Sequence, residues 1–123
     1  DVVIAALESV CYQTADLLQA MEADDSVLSE LRIDGGMAAN DLFMQRLADL
    51  TGLPVRRPRI TETTALGVAF LAGLQVGLYD NLSDIGEIWQ QDALSTPTMP
   101  DADRERYYRG WQAALARVKG GLP

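Results

Sequence analysis

The sequence predicts a helix-rich α/β fold with too few strands for a complete sheet. Two features carry this reading: long segments in which apolar residues recur every three or four positions, and short alternating pieces that end at glycine or proline. A third is their succession along 123 residues, in which helical and extended segments follow one another with no internal repeat and no low-complexity tract.

The first segment, residues 3–21, places Ile4, Leu7, Val10, Cys11, Leu17, Leu18 and Met21 on one side of a long helix. No capping residue precedes it, which is the expected pattern of a chain continued upstream. The acidic residues Glu22, Asp24 and Asp25 lack the alternating ligands and glycine of a calcium loop and are read as a solvated turn. Leu31-Arg32-Ile33-Asp34 alternates apolar with polar and meets Gly35-Gly36, a short strand delivering the chain to a turn. A second helix follows, with Leu42, Phe43, Leu47 and Leu50 on one face, Asn40 or Asp41 as its cap, and Gly52 with Pro54 as its stop.

Val55 then opens a brief extended piece before Pro58. Thr61, Glu62, Thr63 and Thr64 suit the capped start of a third helix over residues 65–78, with Glu62 in a capping role. That helix contains Gly67, Ala69, Ala72, Gly73 and Gly77, so close approach to another backbone or a ligand is expected to compensate for its low propensity. A short amphipathic helix over residues 84–90, a Pro/Thr-rich connector over 95–100 and a final helix from Asp101, as cap, to Lys119 complete the chain.

A net charge of -8 with no histidine argues against an electrostatic footprint on nucleic acid or an anionic membrane, which needs clustered positive charge. It also removes nucleophile systems and metal sites that depend on histidine. Cys11 is the only cysteine and is read as a small core residue in a reducing compartment. With neither a secretory signal nor an apolar run long enough to span a bilayer, the chain is read as cytoplasmic. Arg56, Arg57 and Arg59 form the one basic cluster and are read as a solvated patch balanced by the acidic surface. Trp89, Tyr107, Tyr108 and Trp111 are assigned packing and interface roles.

The chemistry concentrates in Ile33-Asp34-Gly35-Gly36-Met37-Ala38-Ala39-Asn40, a strand that runs into paired glycines and a helix start. Paired glycines let a flat base or a phosphate lie against the backbone, and the N–H groups of the following helix favour negative charge. On the residues alone this stretch is either a tight turn or a nucleotide surface, and Asn40 is either a helix cap or a ligand contact, or both.

Three stretches resemble the C-terminal domain of the FGGY family of carbohydrate kinases: AALESVCYQTADLL at residues 5–18, LRIDGGMAANDLFMQRLADLTGLPVRRP at 31–58 and TETTALGVAFLAGLQVGLY at 61–79. A fourth, RYYRGWQAAL at 106–115, is similar to the C-terminal helix of the glycerol-phosphorylating branch, which the whole pattern resembles most. Asp1, Val2, Ala5, Ala6, Leu7 and Glu8 resemble the second half of a family signature whose first half lies upstream. Tyr79 in place of a common tryptophan, and DALSTPTM at residues 92–99, depart from the pattern.

The resemblance implies that residues 1–123 are part of the C-terminal lobe of an actin-like ATPase (ribonuclease H-like) fold, truncated at its N-terminus. It further implies ATP with Mg²⁺ in the cleft between two lobes and phosphoryl transfer to a terminal hydroxyl of glycerol bound through the upstream lobe; a homo-oligomer is also expected. Carried over to this chain, Gly36 lines the adenosine side of the pocket, Gly35 forms the turn beside it, and Asn40 hydrogen-bonds the nucleotide. The proton-accepting group, the glycerol-binding residues and the phosphate loops belong to upstream segments, so no catalytic residue or metal ligand is assigned within 1–123. The alternatives are another FGGY sugar or polyol kinase, or a non-catalytic actin-like binding module.

Overall fold

The computed structural model describes residues 2–23, 28–60, 63–88 and 91–120. Asp1, Asp24, Asp25, Thr61, Glu62 and Trp89, on which the family signature, the acidic turn, a helix cap and an aromatic packing role were expected, lie outside the described residues.

Helix α1 spans Val2–Glu22, strand β1 Leu31–Arg32, a single 3₁₀ turn Gly36–Ala39, helix α2 Asp41–Thr51 and strand β2 Val55–Pro58. Helix α3 spans Thr63–Gln75, α4 Leu82–Ile88, strand β3 Gln91–Ser95 and helix α5 Asp101–Gly120. The three strands form one sheet in the order β1-β2-β3, β1 and β2 parallel, β2 and β3 antiparallel. Parallel pairing of β1 with β2 requires a crossover, and α2 supplies it.

Helix α2 is the centre of the core. Phe43, Met44, Leu47, Ala48, Asp49 and Leu50 are all buried, a density that needs neighbours on more than one side. Cys11 of α1 and Val55 of β2 join that cluster, with Leu7, Tyr12, Leu31, Ile33, Ala93 and Met99 packed around it. Full burial of a side chain such as Met44 stabilises the fold by about 1.5–3 kcal/mol. Cys11 is inert in this setting, because burial first and the nearby Glu8 charge second push its thiol up to about 11.

Local chemistry sets the ends of α2. The Asn40 side-chain oxygen accepts from the Phe43 amide at 3.2 Å, so Asn40, rather than Asp41, is the cap. Gly52 takes φ 75, a left-handed conformation that ends the helix while its N–H returns to the Ala48 carbonyl at 2.9 Å.

Several boundaries differ from those read in the sequence. The third helix begins at Thr63 and stops at Gln75, closed by bonds from Gly77 N–H to the Leu74 carbonyl and from Leu78 N–H to that of Gly73. Helix α4 begins earlier, at Leu82, because Asn81 caps it by accepting from the Ser83 and Asp84 amides, and Asp84 reaches back to the amides of Asp80 and Asn81. Asp101 is the first residue inside α5 and pairs with Arg104; the Pro100 carbonyl accepts the first helical bonds. On α1, Leu18 is buried while Leu17 is exposed, so the two do not share a face.

The largest difference is β3. Gln-Asp-Ala-Leu-Ser has no β-branched or aromatic residue and was not read as a strand, yet it pairs along β2, with Val55 opposite Ser95 and Arg57 opposite Ala93. Pairing resumes at Pro58 opposite Gln91, so the register slips and Asp92 is the extra residue of a bulge.

Helix α5 buries none of its residues; Arg104 ties its start to α2 by donating to the Asp49 carbonyl at 2.9 Å, and its middle meets α1 through polar and aromatic contacts. Asp16 accepts from the Tyr108 hydroxyl and, at 2.9 Å, from the Trp111 indole, while Tyr12 stacks on Trp111 with ring centroids 5.4 Å apart. The packing role assigned to these aromatics is borne out for Tyr108 and Trp111. Among the described residues, no helix is long and apolar enough to cross a membrane.

Candidate functional site

Strand β1 is held in the sheet by Leu31 N–H to the Pro54 carbonyl at 2.8 Å and by Ile33 N–H to the Arg56 carbonyl at 3.0 Å. Beyond Ile33 the chain leaves the sheet and reverses at Gly35, whose φ of 78 and ψ of -178 only glycine adopts without strain. The 3₁₀ turn closes with Ala38 N–H to the Gly35 carbonyl and Asn40 N–H to the Met37 carbonyl, both at 3.1 Å, and α2 starts at once. Gly35, Gly36 and Asn40, the three residues singled out in the sequence, are thus brought together at the carboxyl end of a strand and the amino end of a helix.

The two glycines differ. Gly35 is fixed by its backbone conformation. Gly36 is not in the left-handed region, and a Cβ built there meets no atom within 4 Å. Neither local geometry nor packing among the described residues requires glycine at position 36. Its lack of a side chain leaves a bare, open stretch of backbone.

Asn40 uses one end of its amide. The oxygen is taken by the cap, and the nitrogen, with two donor hydrogens, has no partner among the described residues. The neighbouring Asp34 carboxylate accepts from the Thr63 hydroxyl, tying the strand end to the start of α3.

Support for the turn comes from residues that the sequence reading left as solvent-facing. Arg57 is 14% exposed and donates to the Ala38 carbonyl at 2.8 Å, to Asp41 at 2.9 Å and to Asp92 at 2.7 Å. Its bonds to Asp92 first and Asp41 second raise its pKa and hold its charge. Arg56 pairs with Glu30 at 2.5 Å, and Arg56 followed by Arg32 holds that carboxyl below the usual range. The expectation of a solvated basic patch is therefore corrected for Arg57. Alternation along β2 puts Arg57 on the face of buried Val55, and that period of two was the available signal.

Below the site, Asp49 is 7% exposed and its Oδ1 accepts from the Thr98 amide at 2.7 Å, the Met99 amide at 3.1 Å, the Thr98 hydroxyl at 3.1 Å and Gln45 at 3.1 Å. Burial alone would raise its pKa, but these donors outweigh burial and lower it. The 96–99 connector is thereby fastened to α2.

Residues 1–76 match the FGGY family of carbohydrate kinases, C-terminal domain. The chain is 53% identical over 119 residues to glycerol kinase from Marinomonas sp. (strain MWYL1), covering 97% of this chain and 24% of that protein. It is 52% identical over 116 residues to glycerol kinase from Deinococcus radiodurans, covering 94% of this chain and 23% of that protein. Among solved structures, Plasmodium falciparum glycerol kinase with ADP superposes with a TM-score of 0.82 at 32% identity, over 94% of this chain and 23% of that one. Gluconate kinase from Lactobacillus acidophilus, at 20% identity, shares the fold with a TM-score of 0.75 over 96% of this chain and 23% of that one. These neighbours agree with a helix-rich α/β arrangement forming part of the C-terminal lobe of the actin-like ATPase fold. The chain spans about a quarter of the length of the curated relatives it matches. By its family match, which covers more than half its length, this chain belongs to the FGGY family of carbohydrate kinases and carries part of their C-terminal domain.

Proposed function

We propose that this segment forms the adenosine-side wall of the ATP site in a glycerol kinase, which transfers the γ-phosphate of ATP to a terminal hydroxyl of glycerol to give glycerol 3-phosphate. The observation that carries the reading is Gly36: a glycine that neither conformation nor packing demands, on open backbone between the end of β1 and the start of α2. A base or ribose can lie flat on such a surface, and a side chain would stand in its place. Gly35 makes the reversal that presents Gly36, and Asn40 offers its amide nitrogen to a polar edge of the nucleotide while its oxygen caps α2.

Identities near one half to glycerol kinases support glycerol as the acceptor, and the ADP complex of the Plasmodium enzyme supports a nucleotide in this fold. Among the described residues no group of three or more His, Cys, Asp or Glu is placed to hold a metal ion. Magnesium is proposed to enter with the ATP phosphates, and none of its chemistry is assigned to the described side chains. Their contribution is binding and orientation, which in phosphoryl transfer is a large part of catalysis.

The test is a coupled phosphorylation assay on the full-length protein with ATP and glycerol, gluconate and xylulose. Preference for glycerol in kcat/KM supports the proposal. Preference for either sugar substrate assigns another member of the family, and no turnover with any acceptor supports a non-catalytic module.

A further inference from the structure

The glycine turn is weakly held by its own bonds. Its internal hydrogen bonds are the two of 3₁₀ type, a geometry poorer than the α-helical one, and it begins with two residues of high backbone freedom. Something outside it must fix the peptide units that follow Gly36. The Arg57 guanidinium reaches three elements at once. Nη1 donates to the Ala38 carbonyl, inside the turn, and to Asp41, the first residue of α2; Nε and Nη2 both lie 2.7 Å from Asp92 Oδ2. Asp92 is the bulge residue of β3, and the bulge is what aims it across at β2.

We infer that Arg57 is a positioning residue for the nucleotide-facing turn, itself aimed by Asp92, so that edge strand β3 sets the geometry of a site it does not line. The inference rests on the reading of the turn as an adenosine wall. Among the described residues, the Arg57 to Ala38 bond is the one hydrogen bond that ties the interior of the turn to the sheet. A planar fork of five donors can satisfy a carbonyl and two carboxylates together, whereas a lysine ammonium on a flexible stem cannot hold all three in one geometry.

The experiment compares Arg57→Gln, Arg57→Lys, Asp92→Asn and Gly36→Val in the full-length kinase. Readouts are Kd for ADP and for glycerol by calorimetry, amide hydrogen exchange at Ala38 and Asn40, and the thermal midpoint. Arg57→Gln is expected to raise Kd for ADP about tenfold, leave Kd for glycerol within about twofold, and speed exchange at both amides. Arg57→Lys should recover the midpoint but only part of the ADP affinity, and Asp92→Asn should shift ADP binding in the same direction by less. If Arg57→Gln fails to fold, Asp92→Asn carries the same comparison. The inference is overturned if ADP binding is unchanged, or if ADP and glycerol weaken together with the midpoint, as for a purely structural residue. Weaker ADP binding in Gly36→Val with none in Arg57→Gln removes the positioning role alone. No effect in Gly36→Val removes the adenosine wall and the positioning role with it.

Discussion

Asn40 can be tested so that its two roles separate. Its oxygen caps α2 through the Phe43 amide at 3.2 Å, and its nitrogen is the group proposed to meet the nucleotide. Asn40→Ala removes both functions and should cost about 1 kcal/mol of stability through the lost cap. Asn40→Asp keeps an equally good cap and places a negative charge where the helix dipole favours it, so stability should hold. What it loses is the donor. Replacing the amide hydrogens with a carboxylate oxygen removes one hydrogen bond and faces any acceptor on the nucleotide with negative charge, a loss above about 1.4 kcal/mol or tenfold in affinity. The assay is calorimetric binding of ADP to the full-length kinase, with the thermal midpoint measured alongside. Asn40→Asp should keep the midpoint of the parent and bind ADP at least about tenfold more weakly, while Asn40→Ala should lose both. If Asn40→Asp binds ADP as the parent does, Asn40 is a cap and nothing more.

Three further outcomes are expected. At Gly36→Val the added Cβ meets no atom within 4 Å and the backbone is outside the left-handed region, so the variant should fold, with the thermal midpoint as the check; KM for ATP should rise roughly tenfold or more with KM for glycerol unchanged, and an unchanged KM for ATP would make the turn purely structural. Asp49→Ala leaves the Thr98 and Met99 amides without their acceptor and should cost about 1–3 kcal/mol in thermal or urea unfolding. Because the folded-state pKa of Asp49 is lowered, its contribution is present above the unfolded value of about 3.9 and is lost as pH falls through the lower folded one; the stability gap between the parent and Asp49→Asn should be flat at neutral pH and close below about pH 4, and a gap that widens on acidification would refute this. Finally, α1 exposes Val2, Val3 and Leu17, α3 exposes Val68 and Leu71, and Val76 is exposed just after it, so residues 1–123 expressed alone should self-associate, which a monodisperse monomer in light scattering at high concentration would contradict.

Much of the fold was legible in the sequence because it is written locally. The period-3.6 segments became α1 and α2, Asn40 and Gly52 marked the ends of α2, and alternation before Gly35 marked β1. The place of the candidate site was legible for the same reason, since Gly35, Gly36 and Asn40 lie within six residues, and the turn at Gly35 and the cap at Asn40 follow from local backbone conformation and capping. What could not be read locally was β3, whose residues have no strand preference and which exists because β2 offers an edge 33 or more positions away in sequence. With β3 unread, Asp92 had no visible partner and Arg57 passed for a solvated charge. The Asp49 clasp depends on amides about 50 residues distant and carries no local pattern. The assignment of adenosine to the wall came from family resemblance; composition and spacing alone favoured a tight turn.

The central claim is that the nucleotide lies on the backbone at Gly36, and a crystal structure of the full-length kinase with ADP tests it most directly. The account predicts adenosine atoms within about 4 Å of Gly36 and the Asn40 side-chain nitrogen within about 3.2 Å of a polar atom of the base or ribose. An adenosine bound in the cleft with Gly36 still facing solvent, and Asn40 bonded only to Phe43, would contradict it.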